Sequence, residues 1–140
     1  MDSYHLTNGI LLLNGVKNVD KNDLAPVVAF AYNRVDKIRN CLESLEKNVW
    51  CDCTKLYIFS DGPKVDGDVK VIQTRKYLKS YVERSAFASC ELIEAPYNKG
   101  LANSIIDGVT KIVNQYGKVI VVEDDLLFHD HFLMFMNKAL

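Results

Sequence analysis

Four short apolar runs, set apart by longer amphipathic stretches, govern what this chain can become from Pro26 onward. Val27-Val28-Ala29-Phe30-Ala31-Tyr32, Leu56-Tyr57-Ile58-Phe59, Glu91-Leu92-Ile93-Glu94-Ala95 and Val119-Ile120-Val121-Val122 have strand length and mostly strand-forming residues. Between the first two, Ile38, Cys41, Leu42 and Leu45 recur at i, i+3, i+4, i+7, one face of a helix. Val71, Ile72, Arg75, Leu78 and Val82 predict a second helix, Leu101, Ile105, Val109, Ile112 and Tyr116 a third, and Phe132, Phe135 and Met136 a last one. Strand and helix alternating in this way is the pattern of successive βαβ units. The expected fold is therefore α/β, three-layer and Rossmann-like, with a mostly parallel sheet in which the first and fourth strands are neighbours. The fourth run is apolar without alternation, as in a central strand covered on both faces.

The punctuation agrees with this division. Ser60-Asp61-Gly62-Pro63 breaks the second strand, Pro96 the third, and Gly117 is placed to stop the third helix. Asn33 or Asp36, Asn98 and Asp130 are candidate caps for the first, third and last helices.

A chain of 140 residues suits a single domain, read as residues 26–140, preceded by an extension over residues 1–25 that is polar apart from Ile10 to Leu13. A net charge of −1 supplies no basic field for nucleic acid or an anionic membrane, which leaves a small ligand as the natural partner. The run Ile10 to Leu13 is far shorter than the roughly 20 apolar residues that span a bilayer, and no secretion signal is readable, so a cytoplasmic location is expected. Cys51-Asp52-Cys53 lacks the spacing of a structural zinc site, and Cys41 and Cys90 read as ordinary buried thiols.

In an open parallel sheet the residues that follow each strand gather along one edge, where ligands bind. Here they are Tyr32-Asn33-Arg34, Ser60-Asp61-Gly62, Tyr97-Asn98-Lys99-Gly100 and Glu123-Asp124-Asp125. Three consecutive carboxylates with no basic residue close by in sequence repel one another, and a hard divalent cation, Mg²⁺ or Mn²⁺, relieves that repulsion with help from substrate phosphates. The alternative is a solvated acidic turn, disfavoured by its position at the end of a β-branched strand. Asp61 is placed either to accept a nucleobase N–H or simply to make a turn. Arg34 is suited to a phosphate or to holding Asp61, and equally to an ordinary helix start. The amides of Asn98-Lys99-Gly100, just before a helix, face either an anion or a plain turn. His129 and His131 read as surface residues.

These residues resemble the nucleotide-sugar glycosyltransferases of the GT-A fold, both family 2 and the N-acetylglucosaminyltransferase I type. The resemblance covers about residues 26–140. Its most specific piece is Val119 to Leu126 followed by a phenylalanine-rich helix, similar to the E-D-D form of the DxD motif. It implies that Asp125 is the metal ligand, with Mn²⁺ favoured over Mg²⁺, while Glu123 and Asp124 contact the nucleotide or support the site. Tyr32, Asn33 and Arg34 look like the first nucleotide-binding turn, and Asp61 stands where the base is read. Lys99, Gly100 and Leu101 belong to a segment near the nucleotide and sugar. The implied activity is sugar transfer, with inversion, from a nucleoside-diphosphate sugar, UDP-sugar favoured, to an acceptor hydroxyl on a glycan or lipid-linked saccharide. Acceptor-binding elements and the catalytic base would lie beyond Leu140, so no catalytic base is assigned.

Two other readings compete, one an enzyme and one a signalling module. A nucleotidyltransferase wants a glycine-rich basic loop after its first strand, and Tyr32-Asn33-Arg34-Val35-Asp36 is not one. A phosphoacceptor module needs acidic residues where Tyr32-Asn33 and Ala95-Pro96 stand. A non-catalytic fragment that only binds a nucleotide-sugar is compatible with all of these observations.

Overall fold

The computed structural model describes residues 4–7, 10–13 and 19–140, the first two segments as backbone. Strands β1 (Tyr4–Thr7) and β2 (Ile10–Leu13) pair antiparallel as a small ribbon. The remaining strands, β3 (Val27–Ala31), β4 (Lys55–Ser60), β5 (Ser89–Glu94) and β6 (Ile120–Glu123), form one sheet in the order β5-β4-β3-β6, and every pairing is parallel. The first and fourth strands of the alternation are neighbours, as the pattern of units predicts.

Alternate residues of β3 serve opposite faces. Val27, Ala29 and Ala31 join Leu56, Ile58, Ile120 and Val122 in a core closed by helices α1 (Val35–Glu46), α2 (Val69–Arg84) and α4 (Phe132–Ala139). Val28 and Phe30 look the other way and pack with Tyr57, Phe59 and Ile93 under helix α3 (Leu101–Tyr116). The layers are therefore helix, sheet, helix.

The buried face of α1 is Ile38, Cys41, Leu42 and Leu45, the residues whose spacing defined it. In α2 the buried stripe is turned by one position, to Val71, Thr74, Leu78 and Tyr81, and leaves Ile72 56% exposed. Thr74 can occupy the core because its hydroxyl donates to the Lys70 carbonyl at 2.8 Å. In α3, Leu101 is exposed and Gly108 takes a core position, since a Cβ there would stand 2.9 Å from Phe30 Cε1. In α4 the buried pair is Leu133 and Asn137 rather than Phe135, because Asn137 binds the Leu133 carbonyl with its amide nitrogen and the Ala25 N–H with its amide oxygen.

β6 departs from the expectation of a strand covered on both faces. It ends the sheet, Ile120 and Val122 are buried, and Val121 on the α3 side is 41% exposed, because α3 lies over β3 and the residues beside it. An unbroken β-branched run does not distinguish an edge strand from a central one.

The helix ends also differ in detail. Asp68 caps α2 by accepting from Lys70 N and Val71 N. Gly117, at φ 79°, closes α3 as expected, its N–H bonding the Val113 carbonyl. Neither Asn33 nor Asp36 caps α1, which starts after Arg34, and His131 rather than Asp130 precedes α4. Among the described residues, no helix is long and apolar enough to cross a membrane.

Candidate functional site

The exits of β3, β4, β5 and β6 converge on one cleft of about 400 Å³. Phe30 and Phe59, stacked with ring centres 5.5 Å apart, contribute to its apolar floor, and Leu101 stands at its rim. Tyr32, Asn33 and Arg34 enter from β3, Asp61 and Lys64 from β4, Asn98, Gly100 and Ser104 from the β5–α3 connection and α3, and Glu123, Asp124 and Asp125 from β6. Of the strand-end residues named in the sequence, Ser60, Gly62, Tyr97 and Lys99 do not line the cleft; the Lys99 ammonium pairs with Asp107 at 3.0 Å, beside a neighbouring depression of about 250 Å³.

The acidic run is a tight turn, closed by the Leu126 N–H on the Glu123 carbonyl at 3.3 Å. That turn sends its side chains in different directions. Asp124 is buried, 8% exposed, and its Oδ1 lies 2.5 Å from Arg34 Nη2, whereas Glu123 and Asp125 are exposed at the cleft. The base that sequence neighbours do not supply thus comes from the first strand's exit. Burial nevertheless holds the Asp124 carboxyl above its ordinary pKa, outweighing the opposing pull of the Arg34 guanidinium. The neighbouring Cys41 thiol, within 3.4 Å of the Glu123 carbonyl, is pushed up to about 12 by burial and then by Asp124 and Asp125.

Asp125 makes no hydrogen bond or ion pair among the described residues. Among those residues no group of three or more His, Cys, Asp or Glu encloses a metal site. A Mg²⁺- or Mn²⁺-type ion commonly takes one or two protein carboxylates and completes its shell with phosphate oxygens and water. Asp125, with Asp124 beside it, fits that kind of donor set.

Asp61 has the most fully committed side chain in the cleft. Its Oδ1 accepts the N–H groups of Gly62 at 2.8 Å and Lys99 at 2.9 Å, and its Oδ2 accepts Gly100 N at 3.0 Å and Asn98 Nδ2 at 3.2 Å. The anion that the Lys99 and Gly100 amides face is therefore this carboxylate, and Arg34 does not hold it. Asn98, a candidate cap in the sequence, instead bridges Asp61 and the Gly62 carbonyl, leaving Gly100 at φ 82° as the residue before α3. A carboxylate offers about four acceptor positions, and here all are used.

Lys64 and Ser104 line the cleft without having been singled out as ligand contacts. Lys64 follows Pro63 directly, so a longer reading of the loop after β4 would have included it. Ser104 lies one turn into α3 and carries no sequence signal.

No family model matches the sequence, and no curated protein matches it. Solved structures do. S. aureus TarS superposes with a TM-score of 0.58 and 18% identity over 79% of this chain. A second S. aureus TarS structure, residues 1–349, gives 0.55 and 18% over 76%. The mannosyltransferase PcManGT from Pyrobaculum calidifontis, solved with GDP-Man and Mn²⁺, gives 0.53 and 15% over 79%. The shared feature is the fold. It is Rossmann-like, an all-parallel sheet between helices. The chain spans 18%, 29% and 30% of the lengths of the chains in these three structures.

Proposed function

We propose that the strand-end cleft binds the diphosphate of a nucleotide-sugar together with a divalent cation, and that the chain serves sugar transfer to an acceptor hydroxyl as a GT-A glycosyltransferase. The observation that carries this reading is the acidic turn after β6 opposite the Asp61 loop, with the Arg34 guanidinium between strand exits. Nucleotide-sugars need both halves of such a cleft. The apolar floor and Leu101 suit a flat base and ribose, while the carboxylates and Arg34 suit a cation and a phosphate.

Asp125 would hold the cation, with Asp124 beside it. The cation, when bound, neutralises charge that builds on the departing diphosphate. Arg34 is placed to orient a phosphate oxygen once its pairing with Asp124 is relaxed, and the Asp61 loop fixes the wall against which the base lies. PcManGT was solved with GDP-Man and Mn²⁺, which supports a nucleotide-sugar and Mn²⁺ here as well. UDP-sugar as the donor, inversion, and a glycan or lipid-linked acceptor complete the proposal.

Calorimetry with uridine and guanosine diphosphates, with and without Mn²⁺, tests it. Mn²⁺ should tighten binding of at least one nucleotide to the wild type, and Asp125→Ala should remove that gain. Binding of neither nucleotide, or equal Mn²⁺ dependence in both proteins, would sink the proposal.

A further inference from the structure

Beneath the cleft, the Arg75 side chain on α2 is largely buried and belongs to no part of the site described so far. The parallel ladder between β4 and β5 ends at Ser60 opposite Glu94. Just past that last rung, Arg75 Nη2 donates to the carbonyls of Asp61 at 3.0 Å and Ala95 at 2.8 Å, one from each strand exit. It also lies 3.2 Å from the Ser60 carbonyl, Nε reaches Ser60 Oγ at 3.1 Å, and Nη1 stands 3.5 Å from Glu94. The guanidinium thus replaces the next rung of the ladder. The Asp61 backbone is fixed at both ends, because its own N–H donates to the Ala31 carbonyl at 3.0 Å. With both peptide groups held, the carboxylate is aimed at the amides of Lys99 and Gly100, which set where α3 begins.

We propose that Arg75 is a positioning residue for the nucleotide pocket: by clamping the exits of β4 and β5 it aims the Asp61 carboxylate, which in turn holds the Asn98–Leu101 wall of the cleft. This inference rests on the proposed function for its consequence in binding, but its structural half stands apart from it. Arginine is required because one planar fork must serve acceptors in several directions, and a lysine ammonium cannot reach both carbonyls and Ser60 Oγ together. Glu94 also lies 3.5 Å from Lys79, so its charge retains a partner if Arg75 changes.

Arg75→Lys and Arg75→Gln would be compared with the wild type by amide hydrogen exchange and by calorimetry with uridine diphosphate and Mn²⁺. Both variants should speed exchange at Lys99 and Gly100 about tenfold or more while the amides of β3 keep their protection. Affinity should fall about tenfold, and adding either change to Asp61→Asn should cost much less than the two losses combined, as coupled residues do. Unchanged exchange at Lys99 and Gly100, or loss of protection spread evenly over the sheet, would overturn the positioning role. Should the wild type bind no nucleotide, the functional reading fails while the exchange data still decide the clamp.

Discussion

Arg34 Nη2 stands 2.5 Å from Asp124 Oδ1, and this pair ties the exit of β3 to the exit of β6 across 90 residues of sequence. The two partners are unequal. The Arg34 side chain is 54% exposed, so the attraction is worth at most about 1 kcal/mol, while the Asp124 side chain is 10% exposed and gives up much of its hydration.

That inequality has a testable sign. The folded pKa of Asp124 is raised, so its charge costs folding stability once the pH exceeds the folded value, and the cost vanishes below the ordinary carboxylate range. Asp124→Asn should therefore melt at or above the wild-type temperature at neutral pH, with the advantage shrinking as the solution is acidified. Arg34→Gln should go the other way, by about 1 kcal/mol, because it leaves a buried charge alone. A neutral-pH melt in which Asp124→Asn is clearly the less stable protein would refute this. A carboxylate kept at a cost to stability, in a cleft, is what a ligand-binding role predicts.

Gly62 carries the next prediction. A Cβ there would stand 2.4 Å from the Tyr97 carbonyl carbon, 2.6 Å from its oxygen and 2.9 Å from Asn98 N, all backbone atoms that cannot rotate away. Gly62→Ala should cost about 1–3 kcal/mol of stability and push the loop off Asp61. Thermal melting measures the first effect, and faster exchange of the Lys99 and Gly100 amides the second. A variant matching the wild type in both would mean that the contact between the two strand exits is not tight.

How much of this was legible in the sequence depends on distance along the chain. Each strand exit is a few consecutive residues, so Asn33, Asp61, Gly100 and Asp125 were readable as one edge once the strands were known to be parallel. Pairings between exits were not. Nothing near Asp124 announces Arg34, and Arg75, read only as one position of a helical repeat, earns its place from carbonyls 14 to 20 residues away. The faces of α2 and α4 were misjudged for one reason: their buried polar residues are satisfied, Thr74 by a carbonyl of its own helix and Asn137 by the Leu133 carbonyl and the distant Ala25 N–H, and so behave as core residues.

The thiols give a prediction at high pH. Cys41 and Cys51 are both pushed up to about 12, in each case by burial first and nearby carboxylates second. A raised folded pKa contributes stability that is intact below the ordinary thiol value of about 9 and is lost as the pH climbs toward 12. Melting temperature should fall across that window, and Cys41→Ala should lessen the fall. At pH 8, alkylation followed by mass spectrometry should label partly exposed Cys53 well before Cys41 or Cys51. Equal labelling of all the cysteines in folded protein would contradict the burial of Cys41 and Cys51.

The last prediction rests on the proposed nucleotide site and concerns how a base would be chosen there, given that the Asp61 carboxylate is already saturated. An incoming ring N–H can reach it only by displacing a donor, and the donors are not equally held. The amides of Gly62, Lys99 and Gly100 are backbone groups at 2.8–3.0 Å, whereas Asn98 Nδ2 is the longest contact at 3.2 Å and also donates to the Gly62 carbonyl at 2.8 Å. Asn98 is therefore the donor that yields. Uracil presents a ring N–H at the position where cytosine presents an acceptor, so a carboxylate there separates the two by about 1.5–3 kcal/mol, the worth of a charged hydrogen bond. Asn98→Ala frees one acceptor position and should widen the preference for uridine over cytidine diphosphate. Asp61→Asn sets an N–H₂ group against backbone N–H groups, so it should both destabilise the loop and flatten that preference. Affinities of the two nucleotides for the three proteins, measured with Mn²⁺ present, decide the matter. If Asn98→Ala weakens uridine diphosphate selectively, Asn98 itself touches the base, and Asp61 serves only to hold the loop.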